Sequence, residues 1–360
     1  MTFPGGFAYS LSKITITRRS RFAQSGTNGV KMNADEECQI SLFNDQLKQD
    51  IRLRLVKTRH DGSRLLEDFC TVIQKAIPKI HIVHEKDESD APSELRIHSR
   101  IRYRAVPLGR ELVPFLEALS WIYNGQTLPS SPFSLLLDKL TLPAELKLYI
   151  AEQCPFCPVI VQSLLPLAIS SDRIQVTVID AGLCMEEARS DRIQSVPTLV
   201  LDEQFRWTGS FKIQEVLEAI IHRDPSRLEA DTLMNMIADG NAGLLSNMML
   251  EKGMIFPALL DLLVHPKWPV RLGAMVALET IAGEKPELAQ QMMVPLWDRF
   301  DAADDKVKGD ILYLVGEIDN GASIERIQKV LNKRMDYDEE IIEAAEEALE
   351  KQEKHGKNLE

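Results

Sequence analysis

Cys154 and Cys157 stand at the start of an apolar run of helical spacing, separated only by Pro155 and Phe156. Two sulfurs at this spacing can form and break a disulfide with little backbone movement. The first also sits where helix-end N–H groups favour negative charge. That arrangement makes a nucleophilic thiolate, and the chemistry it suits is thiol–disulfide exchange. Cys154 is the expected nucleophile, with a pKa below the free value of ~8.5, and Cys157 the thiol that resolves a mixed disulfide from one turn away. Pro155 suits a helix's first turn, where its missing N–H costs little. Two alternatives stay open: an inert structural pair, and half of a zinc site, for which only Cys184 and scattered histidines remain as further ligands.

The other candidates read more plainly. Cys184 falls in a turn after a strand, as a small residue or as a third thiol able to form an alternative disulfide. Cys70 lies on a helix's apolar face and is expected in the core, while Cys38 is expected in a mobile segment. His60 and Asp61 adjoin Gly62 and read as a surface loop. Nine of the twelve methionines lie in residues 226–360. Soft-metal binding is conceivable there, but adaptable packing or a permissive protein-binding groove is the expectation.

Elements must hold the cysteine pair in place. Leu146–Ala151 reads as a strand, followed by the pair and a helix through Ile160, Val161, Leu164 and Leu165. A strand at Ile174–Ile179, a short helix at Met185–Arg189, a hairpin Thr198–Leu201/Phe205–Thr208 and a helix through Ile213, Val216, Leu217, Ile220 and Ile221 complete the order. Cys-x-x-Cys after the first strand of such a unit is a redox motif in its expected setting.

With Ser195-Val196-Pro197-Thr198 about 40 residues beyond the cysteines, this segment resembles a thioredoxin-superfamily domain, and Cys-Pro-Phe-Cys is similar to a glutaredoxin active site. The resemblance implies a cis-proline loop at Pro197 beside the cysteines, with the Val196 backbone as an edge for an extended substrate. A second copy precedes it over Leu42 to Gly125. Its elements are a strand at Ile51–Val56, a helical face from Leu65 to Ile77, a strand at Ile80–Val83, a polar insert, a hairpin, and a helix from Glu111 to Tyr123. Ala91-Pro92-Ser93 takes the cis-proline place, but Arg59-His60-Asp61-Gly62-Ser63 stands where the cysteines belong, so this copy has lost the chemistry. A degenerate first half before an active second half resembles archaeal-type protein disulfide oxidoreductases and the N-terminal domain of the alkyl hydroperoxide reductase flavoprotein. Val106-Pro107-Leu108-Gly109 before an apolar helix strengthens the second likeness. No Gly-x-Gly occurs in the chain, so the dinucleotide fingerprint is missing. Electrons are expected from an external thiol or reductase.

Residues 226–360 carry 26 acids and 15 bases and read as helical with an internal period. The face Val270, Ala274, Ala277, Leu278, Ile281 recurs 37 residues on as Val307, Ile311, Leu314, Val315, Ile318. After a further 34 it recurs as Ile341, Ala345, Ala348, Leu349, Gln352. The pattern resembles HEAT-like repeats, with Gln352 as the polar turn of a terminal cap.

The expected architecture is therefore an extension at 1–41, disordered or foreign to the fold, a degenerate thioredoxin-like domain at 42–130, an active one at 131–225 and a HEAT-like α domain at 226–360. The five basic residues and no acids of residues 1–31 belong to that extension. The formal charge of −12 argues against nucleic acid as partner, and no run approaches the ~18 apolar residues of a membrane span. Five cysteines make no secreted disulfide framework and no secretory signal is evident, so a reducing cytoplasm is expected. The expected activity is reduction or exchange of protein disulfides, with no cofactor beyond the Cys154–Cys157 disulfide. Phe156 and the Pro197 loop shape the docking surface, and the repeats select the partner protein. The alternatives are a redox-sensing scaffold without turnover and a glutathione-bridged iron–sulfur carrier.

Overall fold

The computed structural model describes residues 9–10, 30–60, 63–126, 128, 133–202, 205–318 and 321–357. They fall into two compact units, Met1–Arg223 and Asp224–Glu360.

In the first unit, the two sequence copies share one sheet. The first contributes β1 (Ile51–Lys57), β2 (Ile80–Lys86), β3 (Glu94–His98) and β4 (Ile101–Arg104). The second contributes β5 (Ala144–Ile150), β6 (Ile174–Asp180), β7 (Thr198–Leu201) and β8 (Phe205–Thr208). The order across the sheet is β8-β7-β5-β6-β4-β3-β1-β2, so each copy repeats the same internal order. The copies join where β4 lies parallel to β6, with Ile101 opposite Val176 and Tyr103 opposite Val178. The sequence-level division into two domains thus becomes a single continuous sheet.

The helices of this unit are α1 (Ala34–Gln46), α2 (Ser63–Ala76), α3 (Leu112–Tyr123), α4 (Cys157–Ser170), α5 (Met185–Ser190) and α6 (Ile213–His222). β1 alternates, burying Ile51, Leu53 and Leu55 while Arg52 and Arg54 face out, as a strand covered on one face must. β5 and β6 are buried almost throughout, as parallel strands covered on both faces are. Phe69, Phe115 and Tyr103 meet edge-to-face in the first copy's core at 5.6–5.7 Å. Arg100 ties the copies further, donating to the Ala168 and Ile169 carbonyls at the end of α4.

Several expectations change. Residues 34–41, expected outside the folded part, form the first turns of α1. A capping box between Asn33 and Glu36 starts that helix, and Ile40 and Phe43 pack inward. Cys38 is an exposed residue of this helix rather than part of a mobile segment. Pro155 precedes the N-cap Phe156, and the first-turn proline of α4 is Pro158. Among the described residues the one cis peptide is Val196–Pro197, so Pro92 does not repeat that feature. Asp61 and Gly62 lie outside the described residues.

The second unit is helical: α7 (Ala230–Ala238), α8 (Ala242–Lys252), α9 (Ala258–Leu263), α10 (Trp268–Glu284), α11 (Pro286–Gln290), α12 (Met293–Phe300), α13 (Asp305–Ile318), α14 (Ile324–Asn332) and α15 (Glu339–Lys357). α13 packs along α15, and α10 along α8. The recurring faces on α10, α13 and α15 are largely buried. Gln352 departs from its expected role as a polar cap. It is fully buried and donates to the Val315 carbonyl (2.8 Å), so the face continues inward with a hydrogen bond in place of a methyl. Arg271 is buried too, bonded to Asp310 (2.5 Å) and to the carbonyls of His265 and Pro266. Met236, Met249, Met275, Met292 and Met293 are buried.

Candidate active site

β5 ends at Ile150, and the chain turns back so that the Cys154 amide donates to the Ala151 carbonyl (3.0 Å). Cys154 and Cys157 are disulfide-bonded with Cα atoms 5.6 Å apart. Cys157 opens α4, and its amide donates to Cys154 Sγ (3.1 Å). A first-turn N–H therefore points at the first sulfur, the position where a thiolate gains most from the helix end. Both cysteines are fully buried, whereas Phe156 between them is 43% exposed and Val159, in the first turn of α4, 46%.

The opposite wall is the loop between Ser195 and Thr198. Cys154 Sγ lies 4.0 Å from the Val196 carbonyl, so sequence positions 42 residues apart meet. Thr198 Oγ1 donates to the Ser195 carbonyl (2.8 Å), and the Gly209 amide to the Pro197 carbonyl (2.9 Å). These bonds hold the loop against the hairpin and leave the Val196 edge for pairing. That edge is used: Tyr9–Ser10 pairs antiparallel with Ser195–Val196.

Sequence reasoning missed the acid side of this region. Glu111 closes a short 3-10 turn, Gly109–Glu111, that packs against α4, the helix opened by Cys157. It is 3% exposed, neither carboxyl oxygen has a hydrogen-bond partner, and burial followed by the nearby Asp180 charge pushes its pKa up to about 8. Asp180, opposite Ile150 at the end of β6, is raised to about 6 by burial against the opposing amides of Gly182 and Leu183. An acid on a helix's first turn looks in sequence like a dipole-complementing residue. Only the packing of the first copy onto the second makes it a buried titratable group.

Cys184 is buried, its thiol facing the Arg104 carbonyl (3.6 Å), and burial pushes its pKa up to about 12. It is a free thiol, as are Cys38 and Cys70. Cys70 is likewise pushed up to about 12 by burial. In the first copy, hydroxyls occupy the corresponding ground. Ser93 Oγ meets the Thr58 amide and hydroxyl (each 2.9 Å) and Ser63 Oγ (2.5 Å), a closed, buried cluster at the start of α2. Among the described residues, no three His, Cys, Asp or Glu side chains are grouped to hold a metal ion. No helix of the described residues is long and apolar enough to cross a membrane.

Residues 144–222 match the thioredoxin domain model. The chain is 21% identical over 218 residues to the F component of alkyl hydroperoxide reductase from Xanthomonas campestris pv. phaseoli, covering 58% of this chain and 41% of that protein. It thus spans about two fifths of the length of such curated relatives. Among solved structures, the N-terminal domain of the same reductase component from Enterococcus faecalis covers 53% of this chain and is itself covered fully, at 20% identity and a TM-score of 0.45. A protein disulfide oxidoreductase from Aeropyrum pernix is covered to 96%, over 55% of this chain, at 14% identity and a TM-score of 0.47.

Proposed function

We propose, from the thioredoxin-superfamily fold of residues 144–222 and its Cys154–Cys157 disulfide, that this chain is a thiol–disulfide oxidoreductase acting on protein disulfides. The observation that carries the reading is the meeting of three features: the redox pair, the Cys157 amide on Cys154 Sγ, and the Val196 edge 4.0 Å from that sulfur. An extended substrate would take the place of Tyr9–Ser10 on this edge, its main chain pairing with Val196. Phe156 and Val159 would supply the exposed apolar contact.

In the reduced enzyme, the Cys154 thiolate attacks one substrate sulfur. The substrate S–S bond breaks, and its second sulfur leaves as a thiolate that takes a proton. Cys157 then loses its proton and attacks Cys154 Sγ, which releases the other substrate sulfur and re-forms the Cys154–Cys157 disulfide. The substrate gains two electrons and two protons, and an external thiol or reductase restores the dithiol. We assign Glu111 as the acceptor of the Cys157 proton. Its carboxyl is buried, unpartnered and raised toward neutral pH, on a turn packed against the helix that Cys157 opens. Three free thiols in the same chain favour a reducing, cytoplasmic setting. The helical unit serves as the module that holds the partner protein.

Insulin reduction coupled to an external dithiol tests the activity. The parent turns over, Cys154→Ser is inactive, and Cys157→Ser accumulates a mixed disulfide on Cys154. Equal rates for Cys154→Ser and the parent would leave a redox-sensing scaffold as the reading. Iron with visible absorbance in anaerobically purified protein would point to a cluster carrier instead.

A further inference from the structure

A cavity of about 570 Å³ in the helical unit plays no part in that chemistry. Trp297, Phe300, Val330 and Tyr337 line it as an apolar floor. Trp297 Nε1 donates to Ser323 Oγ (2.8 Å), at the N-cap of α14, and Phe300 packs on Tyr337 (ring centroids 6.2 Å apart), just beyond that helix's other end. The floor thus fastens α12 to both ends of α14 and leaves a groove between them.

The two sides of the groove differ in charge. Arg326, Lys329 and the C-cap Lys333 stand on the α14 side, Asp298 and Asp301 on the α12 side. All five are exposed. The ion pairs that the described residues form in this part of the unit, Arg299–Asp261, Lys308–Asp305 and Arg334–Glu346, leave all five out. Three unpaired cations within two helical turns are unusual in a unit carrying 26 acids and 15 bases. Acidic surfaces are repelled by most of this unit and attracted here.

We infer that this groove binds an amphipathic helix of a partner protein, its apolar stripe on the aromatic floor and an acidic flank against α14. The inference rests on the proposed role of the helical unit as the partner-holding module and names that partner's chemistry. The cationic stripe from Arg326 to Lys333 rises roughly 10 Å, about two turns, which matches the i, i+3/i+4, i+7 anchors of a helix laid in a groove. Trp297, Phe300 and Val330 are only 9%, 2% and 5% exposed, so the floor gives the ligand's apolar stripe a narrow seat. The unlike charges of the two sides supply the preference and orient the ligand, since a helix acidic on both flanks would meet Asp298 and Asp301.

The test uses the full chain and two fluorescein-labelled synthetic helices, each with Leu at i, i+3, i+4 and i+7. One carries Glu on one flank and Lys on the other; the second carries Lys on both. In anisotropy titrations the Glu/Lys helix binds about tenfold tighter or better. The double variant Lys329→Glu/Lys333→Glu loses that preference. Its circular dichroism matches the parent because both positions are exposed, and its insulin turnover is unchanged. No binding, equal binding of the two helices, or a preference that survives charge reversal overturns the inference. Self-association that disappears in the charge-reversed variant also overturns it, since the groove then holds a second copy. A parent that binds the Glu/Lys helix but fails to reduce insulin refutes the redox reading and leaves the groove standing.

Discussion

Glu111 holds a buried carboxyl with two unpartnered oxygens, and this sets a pH signature for the fold as well as for the chemistry. Burial raises its pKa from the ordinary 4.5 to about 8. Within that window the folded chain keeps a proton the unfolded chain has released, so stability falls as pH rises through it. Glu111→Gln stays neutral throughout. Asp180, raised to about 6, gives both proteins a decline up to about that pH. Between there and about pH 9 the variant's urea midpoint should be nearly flat where the parent's still declines, and above pH 8 the variant should be the more stable of the two. The same substitution should slow turnover by about 10²-fold and remove the corresponding limb of the pH–rate profile, measured by insulin reduction. Thiol reactivity follows burial in the same way. Native oxidised protein should react with Ellman's reagent at Cys38 alone, since Cys70 and Cys184 are buried and pushed up to about 12; denaturation should expose all three free thiols. Cys184→Ala should leave turnover unchanged.

At the scale of elements, one carboxylate does two jobs. Glu36 Oε2 accepts from the Asn33 amide at the start of α1 (2.7 Å), and its Oε1 accepts from the Gly109 amide (2.7 Å), at the head of the turn that carries Glu111. Gly109 has a φ of +61°, a backbone conformation glycine enters freely. Asn33→Ala should cost about 1 kcal/mol through the lost cap, without slowing turnover. Glu36→Ala should cost more, about 1–3 kcal/mol, and also reduce turnover, because it frees the turn beneath Glu111. Urea unfolding and the insulin assay together separate the two. The capping box was open to sequence reasoning, but its second task was not, since it spans 73 residues. Likewise the Cys-x-x-Cys pair and the Val196-Pro197 loop were legible as motifs, whereas the position of the helix start at Cys157 rather than Pro155 came from the turn after β5.

For the whole molecule, two compact units with separate cores should unfold as two calorimetric transitions. Arg271 tests the assignment. It is buried against Asp310 and two carbonyls, so Arg271→Ala leaves those acceptors without their cation and should cost about 3 kcal/mol. Scanning calorimetry should show the transition of Asp224–Glu360 falling while the other holds. Reduction of Cys154–Cys157 should lower the other one instead.

Short-range chemistry was written in the sequence: a pair of thiols at a helix start, strands and helices from their periodicity, a silent first copy, a recurring helical face. These depend on residues within a turn or two of one another, where spacing alone fixes which side chains share a face. The tertiary structure decided what depends on distant segments meeting. It merged two expected domains into one sheet through β4 and β6, buried Glu111 and Cys184 where their protons are held, and turned Gln352 inward. It also set Asp298 and Asp301 opposite three unpaired cations across an aromatic floor. Burial and charge neighbourhood belong to the packed chain rather than to any local segment of it, and they determine which of its polar residues titrate, which stay silent and which are left facing solvent.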